Sequence, residues 1–211
     1  MINKKTILIT GASNGIGFEI AKTAASLGHK VIAISRDITN LKPLINVDSY
    51  SVDITNDSLI ESFVKNLIQK KIKLDILINN AGLLVNMPFE ETSIKTFKNV
   101  YNVNVFGVVS VIRMCLPIMN KKSHVLNISS MGGVQGSSKF PGLSAYSSSK
   151  GALITLTELL AEEYNETGPS FNVLALGAVQ TEMLEKAFPG YKSNVSAKKM
   201  ASYILEFSIS G

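Results

Sequence analysis

Tyr146 and Lys150 stand four residues apart in the segment Tyr146-Ser147-Ser148-Ser149-Lys150, which begins a helical pattern. Side chains at that spacing share one helix face, so a phenol and an ammonium can act on one ligand. A free tyrosine titrates near pH ~10, so giving and taking a proton near neutrality needs a shift of about 3 units, or roughly 4 kcal/mol of differential stabilisation. A neighbouring positive charge is the means, and Lys150 is placed to be one. An ordinary solvated helix face uses the same residue types, so the pair gains its meaning from what accompanies it.

The segment Thr10-Gly11-Ala12-Ser13-Asn14-Gly15-Ile16-Gly17 follows a short apolar run and opens a helical pattern. That placement makes a phosphate cradle. Gly11 permits a tight turn, Gly15 lets backbone approach a pyrophosphate, and Gly17 lets the helix pack near the strand, while the helix N-terminus supplies free N–H donors. Ser13, Asn14 and Ile16 fill the places between the glycines. At the end of the second apolar run, where an NAD-binding chain puts a carboxylate on the ribose 2′-hydroxyl, the sequence reads Ser35-Arg36. A guanidinium suits a 2′-phosphate, which favours NADP(H) over NAD(H). A solvated loop arginine is the plainer alternative.

TGASNGIG at 10–17, NNAG at 79–82, NVNVFG around Asn104, Ser130 after a strand pattern and YSSSK at 146–150 stand together in this chain. In order and spacing the set resembles the short-chain dehydrogenase/reductase family, over a stretch from Thr6 to about Thr181. The resemblance implies hydride transfer between NADP(H) and a carbonyl or alcohol carbon of a small molecule. It implies Tyr146 as general acid/base. Lys150 would hold the ribose hydroxyls and, with an oxidised nicotinamide ring, lower the tyrosine pKa. Ser130 would hydrogen-bond the substrate oxygen, and Asn104 would anchor a water-linked proton relay. The resemblance further implies that Asp53, followed by Ile54, contacts adenine, and that Asn80, Ala81 and Gly82 give the cofactor room. Gly177 and Thr181, with Val179 between them, would lie beside the nicotinamide. A homo-oligomer is implied by the same analogy.

Plainer readings stand beside these. Ser129 and Ser130 are adjacent, and serine is commonplace at strand ends; Asn104 could bond locally inside a helix; Asp53 could cap the next helix; Asn79 and Asn80 could mainly satisfy backbone groups. Leu176 occupies the place of a family proline in Leu176-Gly177-Ala178-Val179-Gln180-Thr181, a change in local stiffness. The stretch from Ser130 to Tyr146 looks longer than usual and is expected to shape the pocket mouth. The chain stops at Ser208-Ile209-Ser210-Gly211, where the family continues into a final strand. The expectation is a C-terminally short domain whose sheet edge near Phe171–Leu176 stays unpaired or is covered by Ile204–Phe207.

Positioning such residues takes strands that alternate with helices. Thr6–Thr10, Val31–Ser35, Tyr50–Val52, Leu74–Asn79, His124–Ser129 and Phe171–Leu176 read as strands, and Gly15–Leu27, Asp57–Lys70, Ile94–Met119 and Tyr146–Asn165 as helices. The strands lack polar alternation, as expected where helices cover both faces of a parallel sheet. The fold class is α/β: a Rossmann-like doubly wound parallel sheet in three layers, one domain over 1–211, with ligands at the carboxyl ends of its strands.

With 211 residues, 45% of them hydrophobic and 18% charged, the chain suits one sizeable core. Its apolar runs fall short of the ~20 residues of a membrane span, and Gly11 and Gly15 interrupt any signal-like stretch. One cysteine, Cys115, among Met114 and Leu116, reads as a buried helix position in a reducing cytoplasm. His29 and His124 are isolated, so no metal is expected. The net charge of +5 comes from scattered lysine doublets without a basic stripe or aromatic platform, which points to a small anionic ligand and away from nucleic acid and membrane. The leading function is thus a carbonyl reductase or alcohol dehydrogenase. A catalytically impaired NADP-binding module of the same fold is the rival, and a nucleotide-sugar epimerase is disfavoured by glycine spacing and chain length.

Overall fold

Strand β1 (Thr6–Thr10) buries Ile7, Leu8 and Ile9 in succession, which requires helices on both faces. With β2 (Lys30–Ser35), β3 (Val47–Ser51), β4 (Ile76–Asn79), β5 (His124–Ser130) and β6 (Ser170–Leu176) it forms a parallel six-stranded sheet in the order β3-β2-β1-β4-β5-β6. The computed structural model describes residues 4–210. Strand order reverses between β1 and β4, so a crevice opens where the turns after these two strands face each other.

The strand pleat sorts the core into two layers. Leu8, Ile32, Ile34, Leu77 and Val125 face helices α2 (Asp57–Gln69), α4 (Gly107–Cys115) and α5 (Ser144–Glu163) through Phe63, Leu67, Val111, Ile112 and Leu153. Ile7, Ile9, Val31, Ile76, Ile78 and Leu126 face α1 (Gly15–Ser26) and α7 (Ala197–Ser210) through Ile20, Ala24, Ile204 and Leu205. Cys115 lies wholly buried in the first layer, where burial pushes its thiol up to about 12 and leaves it inert. The remaining helices are α3 (Ile94–Tyr101) and α6 (Glu182–Ala187).

Boundaries depart from the sequence pattern where polar contacts set them. β3 occupies Val47–Ser51 instead of Tyr50–Val52, because an edge strand containing Asp48, Ser49 and Ser51 carries little apolar signal and its ladder to β2 decides its length. β4 starts at Ile76 and not Leu74: the Thr6 N–H donates to the Asp75 carboxylate at 2.7 Å, and the Leu74 N–H donates to the Ile118 carbonyl at 2.9 Å. α5 begins at Ser144, ahead of Tyr146. The helix expected over Ile94–Met119 is interrupted by a π-helical turn at Asn102–Phe106 and ends in a 3₁₀ turn, Leu116–Ile118, that contains Pro117. Within Ile94–Ile118 a run of 18 residues has a mean hydropathy of 1.4, and the stretch has the length to cross a membrane, but its Val100, Asn104, Val108, Val111, Ile112 and Cys115 are buried inside the protein.

Two arrangements were open for the β6 edge, and the structure has the unpaired one. Among the described residues β6 pairs only with β5, while α7 packs on the sheet face beside α1. The spacing of Ala201, Ile204, Leu205 and Ser208 explains the choice, since it turns one helical stripe inward. His124 Nδ1 lies 3.0 Å from the Ser208 carbonyl and ties the helix end to β5.

Replacing Ile204, which has no exposed surface, by alanine should therefore lower stability by about 2–4 kcal/mol. Leu159→Ala, at a position 63% exposed on α5, should cost less than about 0.5 kcal/mol. Denaturant unfolding monitored by circular dichroism distinguishes them; equal effects would show that α7 is not a core helix.

Candidate active site

The crevice is held shut at its base by two loops stitched together. The Thr10 hydroxyl oxygen accepts the Asn80 N–H at 3.1 Å and the Ala81 N–H at 3.0 Å, and Asn80 Nδ2 donates back to the Thr10 and Gly11 carbonyls at 3.1 and 3.0 Å. The approach is so close that a Cβ on Gly17 would stand 2.4 Å from Asn80 Nδ2, and one on Gly11 would stand 2.6 Å from the Ala81 Cα. Gly11 and Gly15 also have φ of 65° and 56°, the left-handed region that favours glycine. Asn14, extended at the N-cap of α1, makes no side-chain cap, so the first-turn N–H groups are available to an anion. Ala12 and Gly17 are buried, Asn14 is exposed, and Ser13 and Ile16 are half-buried, Ile16 against the core layer under α1. Asn80 thus satisfies backbone groups, and Asn79 turns into the core, where it donates to Asn127 at 2.8 Å.

At the end of β2, Ser35 Oγ donates to Ser13 Oγ at 2.9 Å, and Asn40 Nδ2 reaches the Ser13 carbonyl at 3.3 Å and Asn14 Oδ1 at 3.0 Å. Asn40 had no signal in the sequence, because its loop carries no motif. Arg36 is exposed, and its carbonyl accepts a 2.8 Å bond from Ser51 Oγ. Two carboxylates lie nearby and both are engaged in local turns: Asp37 accepts from Thr39 N–H and Oγ at 2.8 and 2.7 Å, and Asp53 accepts from Thr55 N–H and Oγ at 2.9 and 2.8 Å. The Thr55 backbone N–H, with lesser help from the Thr55 hydroxyl and Arg36, holds Asp53 below the usual carboxylate range. The cap of α2 is Asn56, whose Oδ1 accepts from Leu59 N–H at 3.2 Å, and not Asp53. Ile54 is buried, its carbonyl so near Gly107 that a Cβ there would stand 2.8 Å away.

Across the crevice, α5 brings Tyr146 and Lys150 to the end of β5. Lys150 is only 4% exposed, its Nζ donates to the Ile128 carbonyl at 2.7 Å, and Nζ lies 5.9 Å from the centre of the Tyr146 ring. Burial pulls this ammonium down to about 8. Burial also pushes the Tyr146 phenol above its ordinary value, and the neighbouring Ser130 hydroxyl offsets part of that rise. Ser130 Oγ accepts from the Gly132 N–H at 3.2 Å, which leaves its own proton to donate. Asn104 sits fully buried in the π turn and bonds across the fold: Oδ1 accepts from Leu83 N–H at 2.7 Å, while Nδ2 donates to the Leu83 carbonyl and to Ser149 Oγ, both at 2.9 Å. Gly82 lies between these groups, since a Cβ there would be 3.6 Å from both Asn104 Oδ1 and Lys150 Nζ.

The segment after β6 closes the third side. Leu176 pairs with Ser130 in the β5–β6 ladder. Gly177 has open space where a Cβ would point, Val179 is buried, and the Thr181 hydroxyl caps α6 by accepting from Leu184 N–H at 3.2 Å. The Thr181 methyl stands 3.5 Å from where a Gly15 Cβ would be, which sets this segment against the glycine turn. The glycine turn, Asn80 to Gly82, Asn104, Ser130, Tyr146, Lys150 and the segment from Gly177 to Thr181 therefore come together around one crevice, whereas Ile54 and Val179 are buried and Arg36 and Asp53 stand just after β2 and β3. The end of the stretch between Ser130 and Tyr146, Lys139 to Leu143, borders a groove of about 720 Å³ with Pro88, Phe89 and Ser147.

A lysine at about 8 in the fold, against ~10.4 in an unfolded chain, has a depressed pKa. Its contribution to stability is present above ~10.4 and is lost as pH falls toward 8. Relative to Lys150→Met, the wild type should gain about 2 kcal/mol between pH 7.5 and 10. Denaturant titrations at both pH values test this, and a difference independent of pH would show that the ammonium is not desolvated.

With this geometry in hand, relatives give it a lineage. A family model described as short chain dehydrogenase matches residues 5–192. A 3-oxoacyl-(acyl-carrier-protein) reductase of Thermotoga maritima is 34% identical over 197 residues, covering 86% of this chain and 77% of the relative. A 3-ketoacyl-(acyl-carrier-protein) reductase of Brucella melitensis, solved with NADH, superposes with a TM-score of 0.86 at 26% identity, over 97% of this chain and 90% of that one. A short chain dehydrogenase of Shigella flexneri, solved with NADP, gives a TM-score of 0.87 at 26% identity, over 96% and 90%. The chain belongs to the short-chain dehydrogenase family, a family of oxidoreductases.

Proposed function

We propose that this protein is an NADP(H)-dependent carbonyl reductase or alcohol dehydrogenase acting on a small molecule, with Tyr146 as general acid/base. The observation that carries the reading is Lys150. A nearly buried ammonium has three donors, and among the described residues one of them, toward the Ile128 carbonyl, has a protein acceptor. The others open beside Gly82, at the crevice, where ribose hydroxyls fit their need for acceptors.

The dinucleotide, when bound, supplies or accepts the hydride at the substrate carbon. In reduction, Ser130 donates its free proton to the carbonyl oxygen, and Tyr146 transfers its phenolic proton to that oxygen as negative charge develops. Burial suits Tyr146 to this step because it holds the proton until needed. In oxidation the phenol must lose that proton, and the Lys150 ammonium, 5.9 Å from the centre of the ring, then stabilises the phenolate in low-dielectric surroundings. Asn104 fixes Leu83 and Ser149 around the lysine and would anchor a water-linked relay. The glycine turn and the uncapped α1 hold the pyrophosphate, Gly82 and Gly177 leave room for the ring, and Asp53 meets the adenine.

For the dinucleotide, relatives bind NADH in one case and NADP in another, so the preference rests on this chain's own donors. Ser13, Ser35, Arg36 and Asn40 surround the end of β2, and both nearby carboxylates are engaged in turns of their own. A 2′-phosphate gains charge-assisted bonds there that a 2′-hydroxyl does not.

Tyr146→Phe should lower kcat for carbonyl reduction by about 10²–10⁴-fold while the NADPH Kd changes less than about threefold. Retention of most of kcat would remove Tyr146 from the chemistry. Arg36→Ala should weaken NADPH about tenfold after screening and leave NADH within about twofold. Calorimetry with both dinucleotides checks this, and equal binding of the two by the wild type would end the NADP assignment.

A further inference from the structure

The loop between β5 and α5 is tied by one side chain that no step above uses. Lys139 Nζ donates to the Gly132 carbonyl at 2.9 Å, to the Val134 carbonyl at 2.6 Å and to Ser137 Oγ at 2.9 Å. An ammonium has three protons, so all of its donors are spent inside its own loop, and none is directed at a substrate. The Ser137 hydroxyl in turn reaches the Met131 and Val134 carbonyls.

The turn so tied is wedged between the two catalytic elements. It begins at Met131, directly after Ser130, and the Gly132 N–H donates to Ser130 Oγ. Its next residue presses on the catalytic helix: a Cβ on Gly133 would stand 2.6 Å from the Lys150 carbonyl carbon and from the Gly151 nitrogen, and one on Gly132 would stand 2.7 Å from Ser147 Oγ. Turning the Met131–Gly132 peptide, which carries that N–H, would therefore free Ser130 Oγ to rotate, in a turn already packed against α5. The carbonyl of that peptide, on Met131, accepts from Ser137 Oγ, and Lys139 Nζ donates both to that hydroxyl and to the carbonyl of the next peptide, on Gly132.

We propose that Lys139 is a positioning residue for the reaction. By holding Ser137 Oγ, which bonds the Met131 carbonyl, and by gripping the Gly132 carbonyl itself, it fixes the peptide whose N–H donates to Ser130 Oγ and so aims the Ser130 proton at the substrate oxygen. The inference rests on the reductase reading above. Its chemistry does not depend on the lysine charge reaching the substrate, only on donors placed at two carbonyls, so an arginine fork substitutes in part and an apolar side chain does not.

The test is a mutant cycle in the full-length protein with NADPH and a panel of carbonyl compounds. Lys139→Met should lower kcat about tenfold, with the NADPH Kd unchanged within about twofold. Lys139→Arg should recover at least about a third of the wild-type kcat. In a Ser130→Ala background, Lys139→Met should cost less than about twofold, because the hydroxyl it positions is gone. The inference is overturned by full activity in Lys139→Met, by the same tenfold loss with and without Ser130, or by loss of NADPH binding in both Lys139→Met and Lys139→Gln, which would make the residue a general support of the fold. A wild type that binds NADPH but reduces nothing in the panel removes the reductase reading and this inference together; an active wild type indifferent to Lys139 removes the inference alone.

Discussion

Burying the Lys150 ammonium at the edge of an apolar core is the constraint around which this protein is arranged. The charge is drawn far down by lack of water, and an unshared buried cation is expensive, so every neighbouring element supplies something that tolerates it. β5 ends with a carbonyl, Ile128, aimed at Nζ. The Ser129 hydroxyl ties the Lys150 backbone carbonyl to the strand at 2.8 Å. Gly82 withholds a side chain, and Asn104 and Ser149 present polar atoms that are already satisfied by one another. A buried ammonium with one protein acceptor has donors left over, and that makes the site receptive to a ligand rich in acceptors.

The opposite wall solves a different problem by a different means. There the backbone itself must come close to an anion, and nothing ionised is buried. Thr10 and Gly11 share four hydrogen bonds with Asn80 and Ala81 across the β1–β4 switch point, and glycine at 11 and 17 is forced by the resulting contact distances. One wall is thus rigid and neutral, the other charged and strained by desolvation, and the strand-order reversal places them face to face.

The sheet core and the motif-bearing turns were legible because both are written locally: β-branched runs without alternation at β1, β2 and β5, and glycines at fixed offsets after β1. What escaped was decided by long-range polar contacts. β3 is an edge strand with polar residues, so its register comes from β2. Asp53 looked able to cap α2, but Asn56 does so, since a cap is chosen by backbone geometry at the helix start and either residue type suffices. Asn40 joins the glycine turn from a loop without a motif, and Lys139 closes a loop whose length alone was visible in the sequence. The inward stripe of α7 is written at helical spacing, yet which sheet face it would cover depends on the space left beside α1.

The π turn at Asn102–Phe106 amounts to one residue more than a regular helix would hold. Removing a residue there would restore ordinary backbone bonding, but it would rotate one half of the helix against the other by about 100°. Either Asn104 would swing away from Leu83 and Ser149, or Val108, Val111 and Ile112 would swing out of the core. No single deletion keeps both. The extra residue therefore acts as an evolutionary ratchet: once Leu83 and Ser149 are built around the displaced amide, the insertion cannot be lost one step at a time, whereas the exposed side chains of the same turn, Asn102 and Phe106, remain free to vary.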